Sequence, residues 1–428
     1  MYKFSVFLLT LFTLAALPGN THAQDYVNDN RLRYDDYIYN GNIRSITLHR
    51  TDWQFSQPII GLHSGQILQL DFDDLDGDYK SYQYTLVHCD ANWQPSDMVA
   101  FDYLKGFTKD YITDYANSFN TLQAYTHYKI QIPNNNMQIT VSGNYVLKVF
   151  IDDPDSVVLT RRLMVYENKV SIRAWETQPI GSQRNTSQEI KFSVNISRAQ
   201  ITDPFHGLQI VVTQNGRYDN EITGLTPQFV ADTALQYDAD YGNIFDGGNE
   251  FRSFDITSLR QITDNIDRFV PHTKFEEVDL KHNKPRTKEA YATFTDIDGQ
   301  FLIEDKDDDN TDINSQYVVV HFFMPCDSAF TTGNVYVFGA LTDWQCKPEY
   351  RMNYDSGGYN ATIYAKQGYY EYDYAFLKDG SKTADVTILE GNHYETENTY
   401  TIFAYYRPLG GFYDKLIGVK TFKAPTNN

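Results

Sequence analysis

Two acidic clusters in the sequence contain the residue types that bind hard cations. The first runs from position 71 to 78 and the second is Asp296-Ile297-Asp298-Gly299. Calcium takes several oxygen ligands, and a glycine allows a sharp turn between them. Neither cluster completes a twelve-residue calcium loop, and aspartate with glycine is also typical of ordinary turns. We therefore expect turns and keep calcium as the alternative; the aspartates of the first cluster are Asp71, Asp73, Asp74, Asp76 and Asp78.

The tripeptide His88-Cys89-Asp90 offers a base and a nucleophile by residue type. It follows an alternating stretch typical of a β-strand, and adjacent strand residues point to opposite faces, so His88 and Cys89 should not meet. The sequence also lacks the G-x-S-x-G, H-E-x-x-H, P-loop and G-x-G-x-x-G motifs. Its ten histidines form no pair at metal-ligand spacing. We therefore expect a protein that is not an enzyme and has no cofactor.

Length and charge narrow the classes of function. A chain of 428 residues predicts about three domains. The 36 basic and 56 acidic residues give a net charge of −20, which argues against nucleic acid as the main partner, because phosphate binding needs a basic face. Aromatic residues make up 15% of the chain, and 34 of them are tyrosines, which suit half-buried strands.

The first 23 residues are typical of a secretory signal peptide. Lys3 gives the basic start, an apolar run extends from Phe4 to Leu17, and Thr21-His22-Ala23 offers small residues for cleavage. The alternative is a membrane anchor, which needs about 20 apolar residues, and this run is shorter. No later stretch approaches 18 apolar residues, so we expect a soluble exported protein that does not insert into the membrane.

Three cysteines, Cys89, Cys326 and Cys346, are too few for a disulfide-dense scaffold. Cys326–Cys346 is the more plausible pair, because both residues fall in the last third of the chain. Buried free thiols are the alternative.

Period-two apolar patterns recur along the chain and favour strands with one buried face. Examples are Leu68 to Phe72, Tyr82 to Leu86 and Ile190 to Ile196, while Asn215-Gly216 predicts a tight turn. The only helical pattern, Ile256 to Phe269, holds few apolar residues for its length. We predict an all-β chain of about three consecutive antiparallel β-sandwiches of immunoglobulin-like or early-set-like type.

Two polar stretches suggest the domain boundaries. Glu167-Asn168-Lys169 follows a strand pattern, and Asp305 to Asp312 is an acidic run expected to form a linker or long loop. The predicted division is a signal peptide at 1–23, a first sandwich at 24–168, a second at 169–304 and a third at 305–428.

The last third resembles the early-set sandwich of glycogen- and starch-binding modules. A strand from Val335 leads to a corner at Trp344, and a later strand ends in the turn Asp379-Gly380. In those modules an exposed tryptophan stacks on sugar. Here Ala375 and Lys382 stand where a lysine and a second tryptophan are common. We therefore expect Trp344 to be a structural corner residue and keep a periplasmic glycan-binding protein as the alternative function.

Motifs along the chain resemble the type IX secretion system plug proteins of Bacteroidetes, a family long catalogued as a domain of unknown function. The first block includes Tyr84 to Trp93 and Ser142-Gly143-Asn144-Tyr145, and two further blocks lie at 247–255 and 390–398. The motif residues are candidates either for building the fold or for contacting a partner. They are His88, Trp93, Gly143, Asn144, Gly248, Asn249, Glu250 and Arg252.

The resemblance implies a role rather than a chemistry. Plug proteins are expected to close the periplasmic mouth of the large outer-membrane β-barrel through which this system exports folded cargo. The expected partner is therefore that translocon barrel. The chain ends shortly after a family motif at 413–418, with no additional sorting module, so we expect a component of the system rather than its cargo.

Overall fold

A computed structural model of the protein describes residues 31–238 and 242–425. Within these residues strands dominate, which confirms the all-β prediction. The signal peptide expected at 1–23 lies outside them. In the described part of the chain, no helix is both long and apolar enough to cross a membrane. The helical segments are single turns: α1 (Ala100–Tyr103), α2 (Thr311–Asn314), α3 (Thr387–Glu390) and the 3-10 turns Gly181–Gln183, Ala340–Thr342 and Pro348–Tyr350.

The first sandwich packs two sheets around one core. One sheet has the order β1-β12-β11-β5-β7 with β3 parallel to β12, the other has the order β2-β4-β9-β8, and β6 pairs with β10. Alternating apolar residues such as Leu70, Phe72 and Leu147 fill the core between the sheets. The strands are β1 (Tyr37–Ile38), β2 (Ile43–Arg50), β3 (Ile59–Gly61), β4 (Leu68–Asp74), β5 (Tyr82–Cys89), β6 (Leu104–Gly106), β7 (Lys109–Tyr111), β8 (Asp114–Asn117), β9 (Thr126–Ile132), β10 (Met137–Ile139), β11 (Gly143–Ile151) and β12 (Val157–Tyr166).

The second sandwich begins with a sheet of order β13-β14-β17-β16, to which β18 adds on β14. Its apolar face, with Ile190, Phe192 and Val194, packs against Ile210 and Val212 of β15. The strands are β13 (Ser171–Thr177), β14 (Ser187–Asn195), β15 (Leu208–Gln214), β16 (Phe229–Ala231), β17 (Ala234–Tyr237) and β18 (Ile244–Asp246).

The third unit is a nine-stranded sheet that folds over on itself. Its order is β19-β27-β24-β25-β26-β23-β21-β20, with β22 on β27. Phe322 of β23 lies 5.1 Å from Tyr372 of β27, although three strands separate them in the sheet, so the two halves enclose one core. The strands are β19 (Arg252–Asp255), β20 (Ile266–Pro271), β21 (Glu276–Leu280), β22 (Phe301–Ile303), β23 (Tyr317–Pro325), β24 (Gly333–Phe338), β25 (Arg351–Asp355), β26 (Gly358–Lys366) and β27 (Gly368–Lys378).

The last hairpin, β28 (Asn398–Tyr406) and β29 (Lys415–Ala424), completes the second sandwich. β28 pairs with the whole of β15, from Leu208–Tyr406 to Gln214–Tyr400. Strand pairing therefore crosses the boundary expected between 304 and 305, and β19 to β21, which precede that boundary, belong to the nine-stranded sheet. The division into three consecutive segments as independent domains stays a prediction.

Local sequence signals have mixed outcomes. The tight turn at Asn215-Gly216 is confirmed, because both residues have positive φ and the Arg217 N–H donates to the Gln214 carbonyl. The stretch with the helical pattern, Ile256 to Phe269, forms no helix; it is a loop up to position 265, and its last residues belong to β20. The acidic run Asp305 to Asp312 is a loop that enters α2.

Candidate functional site

Strand alternation points the aspartates of the first acidic cluster in two directions, and a lysine lies among three of them. Asp74, Asp76 and Asp78 lie close enough for one ion, but the Lys80 ammonium stands among them. Lys80 Nζ lies 2.7 Å from Asp74 Oδ2, donates to Asp76 and lies 3.6 Å from Asp78. Burial lowers the pKa of Lys80, but the bonds to Asp74 and Asp76 outweigh it and raise the pKa. The Lys80 ammonium thus offsets the negative charge of these carboxylates.

Asp71 and Asp73 point the other way, toward the third unit. Asp73 is almost fully buried and accepts hydrogen bonds from Lys366 Nζ at 2.7 Å and from the Tyr317 hydroxyl at 2.8 Å. His127 Nδ1 lies 2.7 Å from the other oxygen of Asp73. We call Asp73, His127, Tyr317 and Lys366 the ionic junction, since they join the first sandwich to the third unit.

His127 carries a charge at neutral pH in this arrangement. Burial lowers its pKa, but the bonds to Asp71 and Asp73 raise it to about 9. Lys129 beside it forms an ion pair of 2.7 Å with Asp312 from the end of the acidic run. The run expected to be a linker therefore docks on the first sandwich.

His88 and Cys89 point to opposite faces of β5, as predicted from the sequence. His88 packs against Tyr103 and Tyr145 of the first core, and its Nδ1 lies 2.8 Å from Ser96 Oγ. Cys89 belongs to a separate apolar cluster on the outer face of the sheet. Burial lowers the pKa of His88 and raises the pKa of Cys89 to about 12, so the pair does not form a base and a nucleophile.

Gly143 and Asn144 fix the position of β11 against its neighbours. Gly143 has φ +145°, and a side-chain Cβ there would overlap His88 Nε2. Asn144 is fully buried, donates to the Asp90 carbonyl at 3.0 Å and accepts from the Tyr405 hydroxyl at 2.9 Å. The Asn144 side chain therefore links the first sandwich to the last hairpin.

Trp93 lies at the same boundary. It has φ +61° and is buried, with the guanidinium of Arg162 at 4.3 Å from its ring centroid and the Tyr218 ring at 5.9 Å. We call Trp93, Cys89, Val146 and Met164 of the first sandwich, with Val211, Phe403, Tyr405 and Leu416 of the second, the apolar junction. It covers the outer face of a sheet whose inner face already lines the first core.

The two later motif blocks pack against each other. Asn249 Nδ2 donates to the Glu390 carbonyl at 2.8 Å, and Arg252 Nε donates to the Glu390 carboxylate at 2.9 Å. Arg286 Nε adds a third bond at 2.7 Å, and the Gly248 N–H donates to Asn392. Burial raises the pKa of Glu390, but the two arginines reverse this and lower it. These motif residues hold two distant segments together.

Two buried carboxyls near the second acidic cluster have raised pKa values. Burial raises the pKa of Glu250 to about 7, although the Tyr291 hydroxyl donates to it. Burial and the nearby Asp296 raise the pKa of Glu371 to about 8. Glu371 accepts the N–H groups of Ile297 and Gly299 at 2.9 and 3.0 Å, so it fixes the turn at the second cluster.

The Trp344 ring packs against other aromatic side chains of the protein. Its ring lies 5.8 Å from Phe251 and 5.4 Å from Phe338, and a side chain at Gly299 would overlap it. Ala375 is fully buried. Trp344 is thus half-buried, with two aromatic side chains of the protein against its ring.

All three cysteines lie within the described residues and are free thiols, so of the two possibilities that the sequence left open the Cys326–Cys346 bridge does not form. Cys346 is buried beside Tyr336 and Ala375, whereas Cys326 is partly exposed and its Sγ contacts the Ser328 carbonyl. The alternative, free thiols, holds for all three, although Cys326 is not buried.

A set of exposed aromatic side chains was missed by the sequence reasoning. Six aromatic side chains on or beside the segment 99–122 of the first sandwich are 44–79% exposed. The alternating pattern there resembles that of any strand, so only the high local density of aromatic residues could have signalled it. They are Tyr79, Phe101, Phe107, Tyr111, Tyr115 and Phe119.

Comparison with known proteins matches the chain to a family and to a similar solved structure. Residues 43–167 match the family described as type 9 secretion system plug protein 1st domain. The crystal structure of a hypothetical protein from Parabacteroides merdae ATCC 43184 is 32% identical and covers 92% of this chain and 100% of its own, with a TM-score of 0.89.

Other structural likenesses are remote. The purple acid phosphatase PPD1 from yellow lupin (Lupinus luteus) seeds is 8% identical, covers 89% of this chain and 41% of its own, and has a TM-score of 0.17, too low to support any comparison. Among curated proteins no match is found.

Proposed function

Since the chain belongs to the type 9 secretion system plug protein family, we propose that it closes the periplasmic mouth of the outer-membrane translocon barrel of that system. The observation that carries the proposal is the family match over residues 43–167. That match associates the chain with type 9 secretion, and closure of the barrel is the specific role we assign. The proposal gives the protein a binding function and no reaction.

The way the three units are joined supports such a role. The apolar junction and the ionic junction bury side chains between the first sandwich and the rest of the chain. Breaking a buried ion pair costs roughly 3–5 kcal/mol, so the units should not separate easily. A rigid body is what a stopper requires, because a pore wide enough for folded cargo leaks whenever its obstruction deforms.

The motif residues fit this picture as positioning residues. Asn144 and Trp93 join the first sandwich to the second, and Arg252 joins β19 to the segment that holds Glu390. We propose that these side chains set the shape of the body, and that the contact with the barrel uses other, exposed residues.

A permeability experiment tests the function. A strain that lacks the protein but still makes the barrel should become sensitive to large antibiotics that the intact outer membrane excludes. Expression of the intact chain should restore resistance. Expression of the chain with Phe205→Ala, an exposed site on the second sandwich, should restore it equally.

The location and the partner are tested together. The proposal expects the mature protein in the periplasmic fraction and in association with the barrel after detergent extraction of native membranes. Unchanged antibiotic sensitivity in the deletion strain, with the barrel present, would contradict the proposed function.

A further inference from the structure

We propose that the cavity at which the three units meet binds a small neutral saccharide. The cavity has a volume of about 380 Å³, and its wall includes Trp53 of the first sandwich, Thr399 of the second and Asp298 of the third unit. Ligand sites of about 300–1,000 Å³ often lie at such boundaries. We call it the junction cavity. Trp344 does not line it, and the inference does not rest on the proposed function.

Alternate residues of β29 form one wall of the junction cavity. Val419, Thr421 and Lys423 line it, and Thr399 stands opposite Lys423 on β28. Phe422, between the last two of these β29 residues, packs against the second core. Because successive side chains of a strand point to opposite faces, one face of the last hairpin closes the second sandwich and the other lines the cavity.

The turn between β2 and β3 holds Trp53 at the rim of the cavity. The Trp53 N–H donates to the Arg50 carbonyl at 3.1 Å, and the Ser56 N–H donates to the Trp53 carbonyl at 3.0 Å. The Arg50 N–H donates to Ser56 Oγ at 2.7 Å, so hydrogen bonds within the turn fix it. Trp53 is 54% exposed, whereas the Asp298 side chain is only 14% exposed. The C–H face of a sugar ring stacks on such an exposed ring and removes apolar area of both from water.

Polar groups without a partner in the protein line the same cavity. Gln57 and Gln300 are half-buried, and within residues 31–238 and 242–425 their side-chain amides form no hydrogen bond. Asp298 Oδ2 accepts from Thr399 Oγ1 at 3.0 Å, but Asp298 Oδ1 has no partner among the described residues. An amide offers a donor and an acceptor, as a hydroxyl group does, so the two match. A ligand with several hydroxyl groups would satisfy these unpaired atoms, which are costly when left unpaired.

The charges on the wall are balanced, which favours a neutral ligand. Two basic and two acidic side chains line the cavity. Lys423 Nζ lies 3.2 Å from Asp298 Oδ2. Arg50 Nε donates to Asp52 at 2.9 Å, and each oxygen of Asp296 accepts one backbone N–H. An ionic ligand would have to displace one of these partners to find its counter-charge, whereas a hydroxyl group needs none.

Calorimetric titration of the full chain tests the inference, with maltose, cellobiose and N,N′-diacetylchitobiose as the probes. We expect at least one of these neutral disaccharides to bind with a dissociation constant of about 1 mM or tighter. Trp53→Ala should weaken that binding about tenfold or more, because the stacking ring is lost. Gln300→Ala should weaken it about three- to tenfold through the loss of one hydrogen bond.

Trp175→Ala is the matched control. Trp175 is an exposed tryptophan on β13 of the second sandwich and does not line the cavity, so its loss should leave the affinity unchanged. Trp53→Phe keeps an aromatic ring and should retain part of the affinity. Thermal melting checks that each variant folds. If Trp53→Ala does not fold, the Gln57→Ala and Gln300→Ala titrations decide.

Three results would overturn the inference. The first is that none of the three disaccharides binds wild type at roughly 20 mM, well above the expected dissociation constant. The second is binding that the substitutions at Trp53, Gln57 and Gln300 leave unchanged, or that Trp175→Ala weakens equally. The third is binding of trialanine, titrated in parallel, where no saccharide binds, which would assign the cavity to peptides. The permeability experiment is independent of all three results, so the proposed function can stand or fall separately.

Discussion

Lys366 Nζ donates to Asp73 Oδ2 at 2.7 Å across 293 residues of chain, and both side chains are almost completely buried. Two charges withdrawn from water in this way are tolerated only because each neutralises the other. Tyr317 donates to the same oxygen of Asp73, so the carboxylate is fully engaged. The first sandwich and the third unit are therefore joined by a buried ion pair. Removing one of its two charges should lower the free energy of unfolding strongly.

Replacing Lys366 by methionine should lower the free energy of unfolding by up to about 3–5 kcal/mol, because the buried Asp73 would lose one of its two cations and keep only the protonated His127. Urea denaturation of the purified protein measures the change. The matched control is Arg268→Met, which breaks an exposed ion pair with Asp279 and should cost less than about 1 kcal/mol. Equal effects of the two substitutions would show that the ionic junction does not stabilise the fold.

Stability should fall as the pH rises from about 6.5 to about 9, because His127 has a folded pKa of about 9 against an ordinary value of 6.5. The protonated ring contributes stability that is fully present below pH 6.5 and is lost as the pH rises through 9. Glu371, with a pKa of about 8, acts in the same direction, because its ionised form is penalised by burial. Melting temperatures recorded across this range measure the slope.

The variant His127→Gln tests how much of this pH dependence of stability comes from the histidine. This variant should have a lower melting temperature than wild type at pH 6.5, and the difference should shrink by pH 9.5. Replacement of the exposed His63 by glutamine should leave the slope unchanged and serves as the control. A difference between His127→Gln and wild type that stays constant with pH would contradict the protonated state assigned to His127.

Gly143→Ala should destabilise the first sandwich more than a glycine substitution that is only conformationally strained. Both Gly143 and Gly65 have positive φ, but Gly65 has open space around it whereas a Cβ at Gly143 would overlap His88. Gly65→Ala should cost about 1–2 kcal/mol, the ordinary penalty of a left-handed alanine. Gly143→Ala should cost more, by about 1–3 kcal/mol of added overpacking.

A double-mutant cycle with His88→Ala separates strain from overlap, since removal of the ring should recover the overpacking part of the Gly143→Ala cost. Purely additive effects in urea denaturation would indicate that the imidazole does not restrict position 143.

Local patterns in the sequence predicted local structure. Alternation predicted strands and the opposite directions of His88 and Cys89, because side-chain direction in a strand depends only on position along it. The hairpin that completes the second sandwich was not predicted, since β15 and β28 meet across almost 200 residues and neither carries a signal of its partner. The same holds for the pairing of Asp73 with Lys366.

The solvent exposure of the aromatic side chains was not predicted from the sequence either. The segment 99–122 has the pattern of short strands, and only the fold places its aromatic side chains other than Tyr103 outside a core. For Lys80 a local signal did exist, because it stands two residues after Asp78, where a cation would complete the acidic cluster. An acidic run should therefore be examined together with the basic residues that flank it before a metal is assigned.

The melting temperature of wild type should not change between calcium and a chelator, because the Lys80 ammonium already stands among Asp74, Asp76 and Asp78. Lys80→Gln leaves three carboxylates facing one another, so it should lower stability in chelator, and calcium should restore part of the loss. The control is Lys129→Gln, which removes a partner of Asp312 and leaves the three aspartates paired with Lys80. A calcium-dependent rise in the melting temperature of wild type would instead mean that the cation displaces the ammonium, and the internal ion pair would lose its assigned role.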